Sequence, residues 1–132
     1  MTQTPAAPYR GERYLPLSEL YERYEALAQA HPDWITLERI ATTRAGHHLL
    51  LLTLSAHRDA AGVPVSAAEM MERPGLWIDA GTHAAEWAGV SAALYDVERW
   101  IELLSGAEGS EEERERERAW FREHVILSLI HI

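Results

Sequence analysis

The sequence feature that most constrains the fold is a long amphipathic pattern in the second half of the chain. Apolar residues recur there every three or four positions, the spacing that places side chains on one face of a helix: Val90, Leu94, Val97, Ile101 and Leu104. A short apolar run at residues 76–80 precedes this helix, and a β-prone run at residues 125–132 comes later in the chain. A helix of this kind packs against a sheet, so the pattern indicates an α/β domain.

The first half of the chain predicts one further helix and two strands. Ser18 is a suitable N-cap for the helix, and His31-Pro32 ends it because proline disfavours helical geometry in the residue before it. Residues 34–40 alternate like a half-buried strand, whereas the leucine-rich residues 48–55 suit a strand covered on both faces. Gly46 marks the turn of a hairpin between them. We therefore expect an α/β fold with a mixed sheet flanked by helices on both faces.

Two capping boxes and a charged segment complete the predicted elements. Ser66 with Glu69, and Ser110 with Glu113, have the spacing in which a serine and a glutamate cap the same helix start. The segment from 111 to 118 alternates glutamate and arginine, with opposite charges four residues apart. This pattern is typical of a solvated surface helix rather than of a binding tail.

Composition excludes several classes of function. The chain has 132 residues, enough for one domain, and its net charge of −9 disfavours nucleic-acid and membrane partners, which need a positive surface. Without cysteines it has neither disulfides nor thiolate metal ligands. Residues 1–17 lack the apolar core of a signal peptide, and the longest aliphatic run, residues 49–52, is too short to cross a bilayer. We expect a cytoplasmic protein.

The residues best suited to chemistry lie between the strand at 76–80 and the long helix. His83 and Glu86 are three positions apart around a helix start, so an imidazole nitrogen and a carboxylate oxygen can reach one zinc ion. A catalytic zinc site needs one more protein ligand and an open position for water. The spacing alone is weak evidence for a zinc site. A surface histidine beside a glutamate at a helix start has the same spacing, and the helix dipole stabilises such a glutamate without any metal.

The surrounding segment, Trp77-Ile78-Asp79-x-Gly81-x-His83-x-x-Glu86-Trp87, resembles the zinc-binding segment of the metallocarboxypeptidase family. Tyr14-Leu15-Pro16, the His31-Pro32 break and the turn at residues 40–47 are similar to the opening elements of that family. The resemblance implies a zinc cofactor with His83 and Glu86 as its first two ligands. It also implies hydrolysis of a C-terminal peptide bond, or a similar amide bond, through metal-activated water.

The resemblance covers only the N-terminal part of a zinc carboxypeptidase-like domain, assigned to residues 17–132 after an extended arm at residues 1–16. Family members add a later histidine, a glutamate base and substrate-binding arginines, all beyond position 132. We therefore expect an incomplete and inactive chain, with a truncated gene end as the explanation. Ala85 stands where many relatives have an arginine, and His47 stands where Gly-Arg is more common.

Other residues are weaker candidates. His124 and His131 are conceivable third ligands, and Asp79 could orient His83, although an aspartate closing a strand is commoner. The remaining histidines fall at turns or strand ends and are interpreted as solvated: His31, His47, His48 and His57.

Three alternatives stay open at this point. The chain could be a non-catalytic interaction module that dimerises or binds a partner through an unfinished sheet edge, or a relative that hydrolyses acylated amino acids. Nitrogen and oxygen ligands would also accept cobalt, nickel or copper. Reading the gene beyond Ile132 would separate the enzyme from the module.

Overall fold

The computed structural model describes residues 7–83 and 85–130. Helices and strands follow one another in this order: α1 (Leu17–Ala30), β1 (Ile35–Thr42), β2 (His48–Leu54), α2 (Ala67–Met71), β3 (Gly75–Ala80), α3 (Trp87–Ser105), α4 (Glu111–Glu123) and β4 (Val125–Ile130). Within these ranges, no helix combines the length and the apolar character needed to span a bilayer.

The four strands form one mixed sheet in the order β1-β2-β4-β3. β1 and β2 form the predicted antiparallel hairpin, whose turn is closed by a 2.7 Å hydrogen bond from the Thr43 amide to the His47 carbonyl oxygen. Gly46 in this turn has a φ of +83°, which glycine adopts without a side-chain clash. β4 runs antiparallel to β2 and parallel to β3. The α/β class with a mixed sheet is therefore confirmed.

One face of this sheet carries the core. Residues that lie opposite one another in the register, such as Leu52 with Leu37 and Leu54 with Ile126, point to the same face. The same buried cluster takes in Leu20 and Tyr24 of α1, the apolar stripe of α3, and Phe121 of α4. The helices with buried side chains, α1, α3 and α4, therefore contribute to one hydrophobic core on this sheet.

The leucine-rich strand β2 shows the same asymmetry. Leu50, Leu52 and Leu54 are at most 2% exposed, whereas Leu49 and Leu51 on the other face are only half-buried. As predicted, β2 is not an edge strand, since it lies between β1 and β4, but within the described chain its second face is less covered than its first. The reason is that the sequence reports how apolar a strand is, not which element covers each of its faces.

Both predicted capping boxes are confirmed, but the cap predicted for the first helix is wrong. Ser66 and Ser110 each accept a hydrogen bond from the amide of the glutamate three residues later, and that glutamate accepts one in return. α1 begins one residue before Ser18, with Pro16 as the N-cap residue and no side-chain cap. As predicted, α1 ends at His31-Pro32, and α4 is a surface helix with Phe121 as its buried residue.

The described part of the N-terminal arm, residues 7–16, is packed against α3. Tyr9 is 1% exposed, and its amide donates a hydrogen bond to the carboxylate of Glu98. Arg10 donates two hydrogen bonds, of 3.0 and 2.7 Å, to the carboxylate of Glu102 one turn further along α3. The arm is thereby fixed to the helix that follows the candidate site.

Candidate metal site

The segment with His83 and Glu86 connects the end of β3 to the start of α3. β3 ends at Ala80, and Gly81 then turns the chain with a φ of +77°, a conformation that favours glycine. α3 begins at Trp87, with Glu86 as its N-cap residue. The strand and the helix fix both ends of this loop, and the loop places both candidate ligands at the carboxyl end of β3.

His83 and Glu86 point toward each other. Nδ1 of His83 lies 3.0 Å from Oε2 of Glu86, and the Glu86 amide donates a 3.0 Å hydrogen bond to the His83 carbonyl oxygen. Both side chains are mostly exposed, at 75% and 69%. Zinc binds nitrogen and carboxylate oxygen at about 2.0–2.2 Å, so two atoms at this separation can share one ion. The geometry therefore fits two of the ligands that such a site needs.

The same contact is also an ordinary exposed hydrogen bond, which contributes little to stability on its own. One observation bears against a purely helix-capping role for Glu86: its side chain makes no cap hydrogen bond to α3. The carboxylate is directed toward the imidazole instead. The roles of His83 and Glu86 as ligands stay predictions that this geometry permits.

No third ligand is present in the part of the chain that the structure describes, because residues 7–83 and 85–130 contain no group of three or more metal-binding side chains. His124 precedes β4, whereas His83 follows β3, and these two strands are parallel and paired from Gly75 with Val125 to Ala80 with Ile130. The two histidines therefore lie beyond opposite ends of the strand pair, a strand's length apart. His131 lies outside the described residues.

The weaker candidates have other recorded contacts. Asp79 accepts a hydrogen bond from the Thr82 hydroxyl at 3.4 Å, and its role in orienting His83 stays a prediction. His57 Nδ1 lies 2.7 Å from the Pro32 carbonyl oxygen, and His48 Nδ1 lies 3.4 Å from the Thr42 hydroxyl. His31 is half-buried, and burial lowers its pKa. These contacts belong to turns and strand ends, where the sequence placed these histidines.

An aromatic pair beside the candidate ligands was not predicted. The rings of Tyr14 and Trp87 meet edge to face with centroids 6.1 Å apart, and the two residues are 60% and 53% exposed. Trp87 directly follows Glu86, so this contact joins the N-terminal arm to the start of α3. Local pattern could not reveal it, because it depends on how the arm packs.

A family model described as zinc carboxypeptidase matches residues 20–119. This chain belongs to the zinc carboxypeptidase family. Human carboxypeptidase B2 is 30% identical over 86 residues, which are 65% of this chain and 18% of that protein. Zinc carboxypeptidase A 1 of Drosophila melanogaster is 26% identical over 93 residues, covering 70% of this chain and 20% of its own length. The chain thus spans about a fifth of the length of these relatives.

Solved structures of the family share the fold. The crystal structure of thrombin activatable fibrinolysis inhibitor matches 96% of this chain and 27% of its own, with a TM-score of 0.70 and 20% identity. Carboxypeptidase A from Helicoverpa armigera matches the same shares with a TM-score of 0.63 and 14% identity. At these identities the likeness shows the fold alone. Together with the family match, it confirms the metallocarboxypeptidase resemblance of the sequence.

Proposed function

We propose that this chain contributes two zinc ligands, His83 and Glu86, to a carboxypeptidase site that hydrolyses C-terminal peptide bonds or similar amide bonds. The observation that carries the proposal is the 3.0 Å approach of the imidazole nitrogen to the carboxylate oxygen at the end of β3. When bound, zinc supplies a Lewis acid and lowers the pKa of a water ligand toward about 7, which provides a nucleophile at neutral pH.

The two side chains would hold the metal in defined protonation states. Nδ1 of His83 must offer a lone pair and Glu86 must be ionised, so protons compete with the metal as the pH falls. Both groups are exposed and can exchange the mutual hydrogen bond for bonds to a cation. The fixed ends of the loop, at Ala80 and Trp87, support the two residues in neighbouring positions.

We further propose that the 132-residue chain alone does not catalyse hydrolysis. Catalysis by this route needs a third ligand, a general base and groups that bind the substrate carboxylate, whereas the described residues contain no group of three metal-binding side chains. Ala85 between the ligands carries no charge, so substrate contacts at this position would differ from those of relatives with an arginine. A non-catalytic module and a hydrolase of acylated amino acids are the competing proposals.

Zinc titration of the chain, followed by isothermal calorimetry, tests the ligand assignment. We expect weak binding by the wild type that is lost in both His83→Ala and Glu86→Gln. His47→Ala removes another exposed histidine, from the β1–β2 turn, and serves as the matched control, with binding unchanged. Identical titrations for wild type and His83→Ala would remove His83 from the site. Zinc-dependent release of C-terminal residues by the purified chain would overturn the proposed inactivity.

Cytoplasmic residence and the lack of nucleic-acid or membrane partners rest on composition and stay predictions. A peptide or amide substrate follows from the family alone and is part of this proposal.

A further inference from the structure

The contact between Tyr14 and Trp87 joins a firmly held part of the N-terminal arm to the loop that carries the candidate ligands. The two rings meet at an angle of 67° with centroids 6.1 Å apart, a favourable edge-to-face arrangement. Trp87 is the first residue of α3, and Glu86 directly before it is the N-cap residue of that helix. A contact that holds the indole in place therefore also limits where the Glu86 carboxylate can lie.

The backbone around Tyr14 is fixed by polar and apolar contacts. The Tyr9 hydroxyl donates a 2.6 Å hydrogen bond to the carbonyl oxygen of Arg13, and Tyr9 is itself buried in the core. Arg13 also donates two hydrogen bonds, of 2.6 and 2.8 Å, to the carboxylate of Glu19 on α1. Leu15, which follows Tyr14 in the sequence, belongs to the same core. Tyr14 is thus held through both of its neighbours in the chain.

The start of α3 has weaker support. Glu86 makes no side-chain cap hydrogen bond, so the first turn of α3 lacks the capping interaction that stabilises α2 and α4. Ala93 is the first buried residue of α3 in the described part of the chain, and before it Val90 packs only partly against the core. Helix ends fray where few contacts hold them. The contact with Tyr14 therefore adds an anchor where the helix is weakest.

The arm cannot slide along α3, because it contacts this helix at two further points. Glu98 accepts the hydrogen bond from the Tyr9 amide, and Glu102 pairs with Arg10 at 2.7 Å. From Trp87 to Glu102 the helix axis extends about 22 Å at roughly 1.5 Å per residue. The aromatic contact is therefore one end of an attachment that runs along most of the helix.

We propose that Tyr14 is a positioning residue for the candidate metal site and acts through Trp87 on Glu86. The proposal rests on the function proposed above, in which His83 and Glu86 bind zinc. By fixing the start of α3, the Tyr14 ring keeps the Glu86 carboxylate within reach of the His83 imidazole, as in the 3.0 Å contact between them. If the two ligands converge only part of the time, the apparent zinc dissociation constant rises in inverse proportion to that population.

Amide hydrogen exchange of the metal-free chain, resolved by NMR spectroscopy, tests the positioning role. The reporter is the Glu86 amide, which donates a 3.0 Å hydrogen bond to the His83 carbonyl oxygen. Tyr14→Ala should speed its exchange about three- to tenfold, the factor that corresponds to one aromatic pair. Tyr14→Phe keeps the ring and should restore the wild-type rate. Tyr95→Ala removes another exposed tyrosine ring, from α3 itself, and is the matched control with an unchanged rate.

Zinc calorimetry on the same variants tests the consequence for the metal. The dissociation constant should rise about three- to tenfold in Tyr14→Ala and return to the wild-type value in Tyr14→Phe. Tyr14 is 60% exposed, so its replacement by alanine should leave the core intact. The Leu52 amide in β2 checks this, since its exchange should be the same in all variants.

The outcomes separate this inference from the proposed function. An unchanged Glu86 exchange rate in Tyr14→Ala, or equal acceleration at Glu86 and Leu52, would overturn the positioning role whether or not zinc binds. Faster exchange with an unchanged zinc dissociation constant would also overturn it, because the contact would then order the loop without serving the ligands. A wild type that binds no zinc would overturn the proposed function, and with it any role of Tyr14 toward a metal.

Discussion

Replacing Glu98 by alanine should destabilise the chain strongly. Glu98 lies on α3 with 6% of its surface exposed, and its carboxylate accepts hydrogen bonds from the Tyr9 amide and from Nη1 of Arg23, the latter at 3.3 Å. The side chain of Arg23 is itself only 15% exposed. Glu98→Ala would leave a buried amide and a largely buried guanidinium without this acceptor, which desolvation makes costly.

The burial of Glu98 and Arg23 determines how much free energy of unfolding the substitution should remove. Removing one partner of a fully buried ion pair costs about 3–5 kcal/mol. Arg23 keeps other partners, the Ala7 carbonyl oxygen at 3.1 Å and Glu19 at 3.5 Å, so we expect the lower end of the range, about 3 kcal/mol. Glu25→Ala is the matched control: Glu25 pairs with Arg39 at 2.8 Å, but both side chains are about half exposed, and such pairs contribute less than about 1 kcal/mol.

Urea unfolding followed by far-ultraviolet circular dichroism measures both values. Glu98→Ala should lower the midpoint with an unchanged slope, whereas Glu25→Ala should leave the midpoint close to that of the wild type. Hydrogen exchange by mass spectrometry should show lost protection at residues 7–15 in Glu98→Ala only. If the two variants lose the same free energy of unfolding, the reasoning from burial is refuted.

Three further outcomes follow from the same structure. Burial raises the pKa of Glu98 above its ordinary value of 4.5, so in the pH window between 4.5 and the raised pKa the folded chain holds a proton there that the unfolded chain has lost. The free energy of unfolding should therefore fall as the pH rises through this window, above which Glu98 is ionised and paired with Arg23. Glu98→Gln should abolish this fall in urea titrations at stepped pH. Leu94→Ala at a fully buried position should cost about 3–5 kcal/mol by urea unfolding, and a loss below about 1 kcal/mol would contradict the core assignment. Gly106 ends α3 with a φ of +84°, so Gly106→Ala should lower the melting temperature. Gly89 lies inside α3, where an added Cβ would contact no other atom, so Gly89→Ala should raise the melting temperature. A change of the same sign in both variants would contradict the conformational argument.

The sequence predicted those elements whose signal is local. The apolar stripe from Val90 to Leu104 predicted α3, and the serine-glutamate spacing predicted the starts of α2 and α4. These patterns depend only on residues within one or two helical turns of each other. The cap at Ser18 was wrong since Pro16 takes the N-cap position, and its carbonyl oxygen already accepts a hydrogen bond from the Leu20 amide. Coverage of the two sheet faces could not be predicted, because the apolar content of a strand does not tell which helices pack on it.

The candidate site, too, could be predicted from the sequence only in part. His83 and Glu86 are three positions apart, so their convergence could be predicted from spacing. The neighbouring contact between Tyr14 and Trp87 could not, nor could the bond between Tyr9 and Glu98, because such contacts join segments far apart in the chain. The separation of His124 from His83 likewise follows from the parallel pairing of β3 and β4, which the sequence left open.

The docked arm has a consequence for the order of events during synthesis. The acceptor of the Tyr9 amide lies 89 residues later in the chain, so the arm cannot form its contacts with α3 while the first half of this sequence is being made. Until α3 has left the ribosome, residues 7–16 are open to chaperones and proteases. Arrival of that helix would bury Tyr9 and complete the packing of residues 7–16, so this segment would acquire its native surroundings only after the elements that directly follow it.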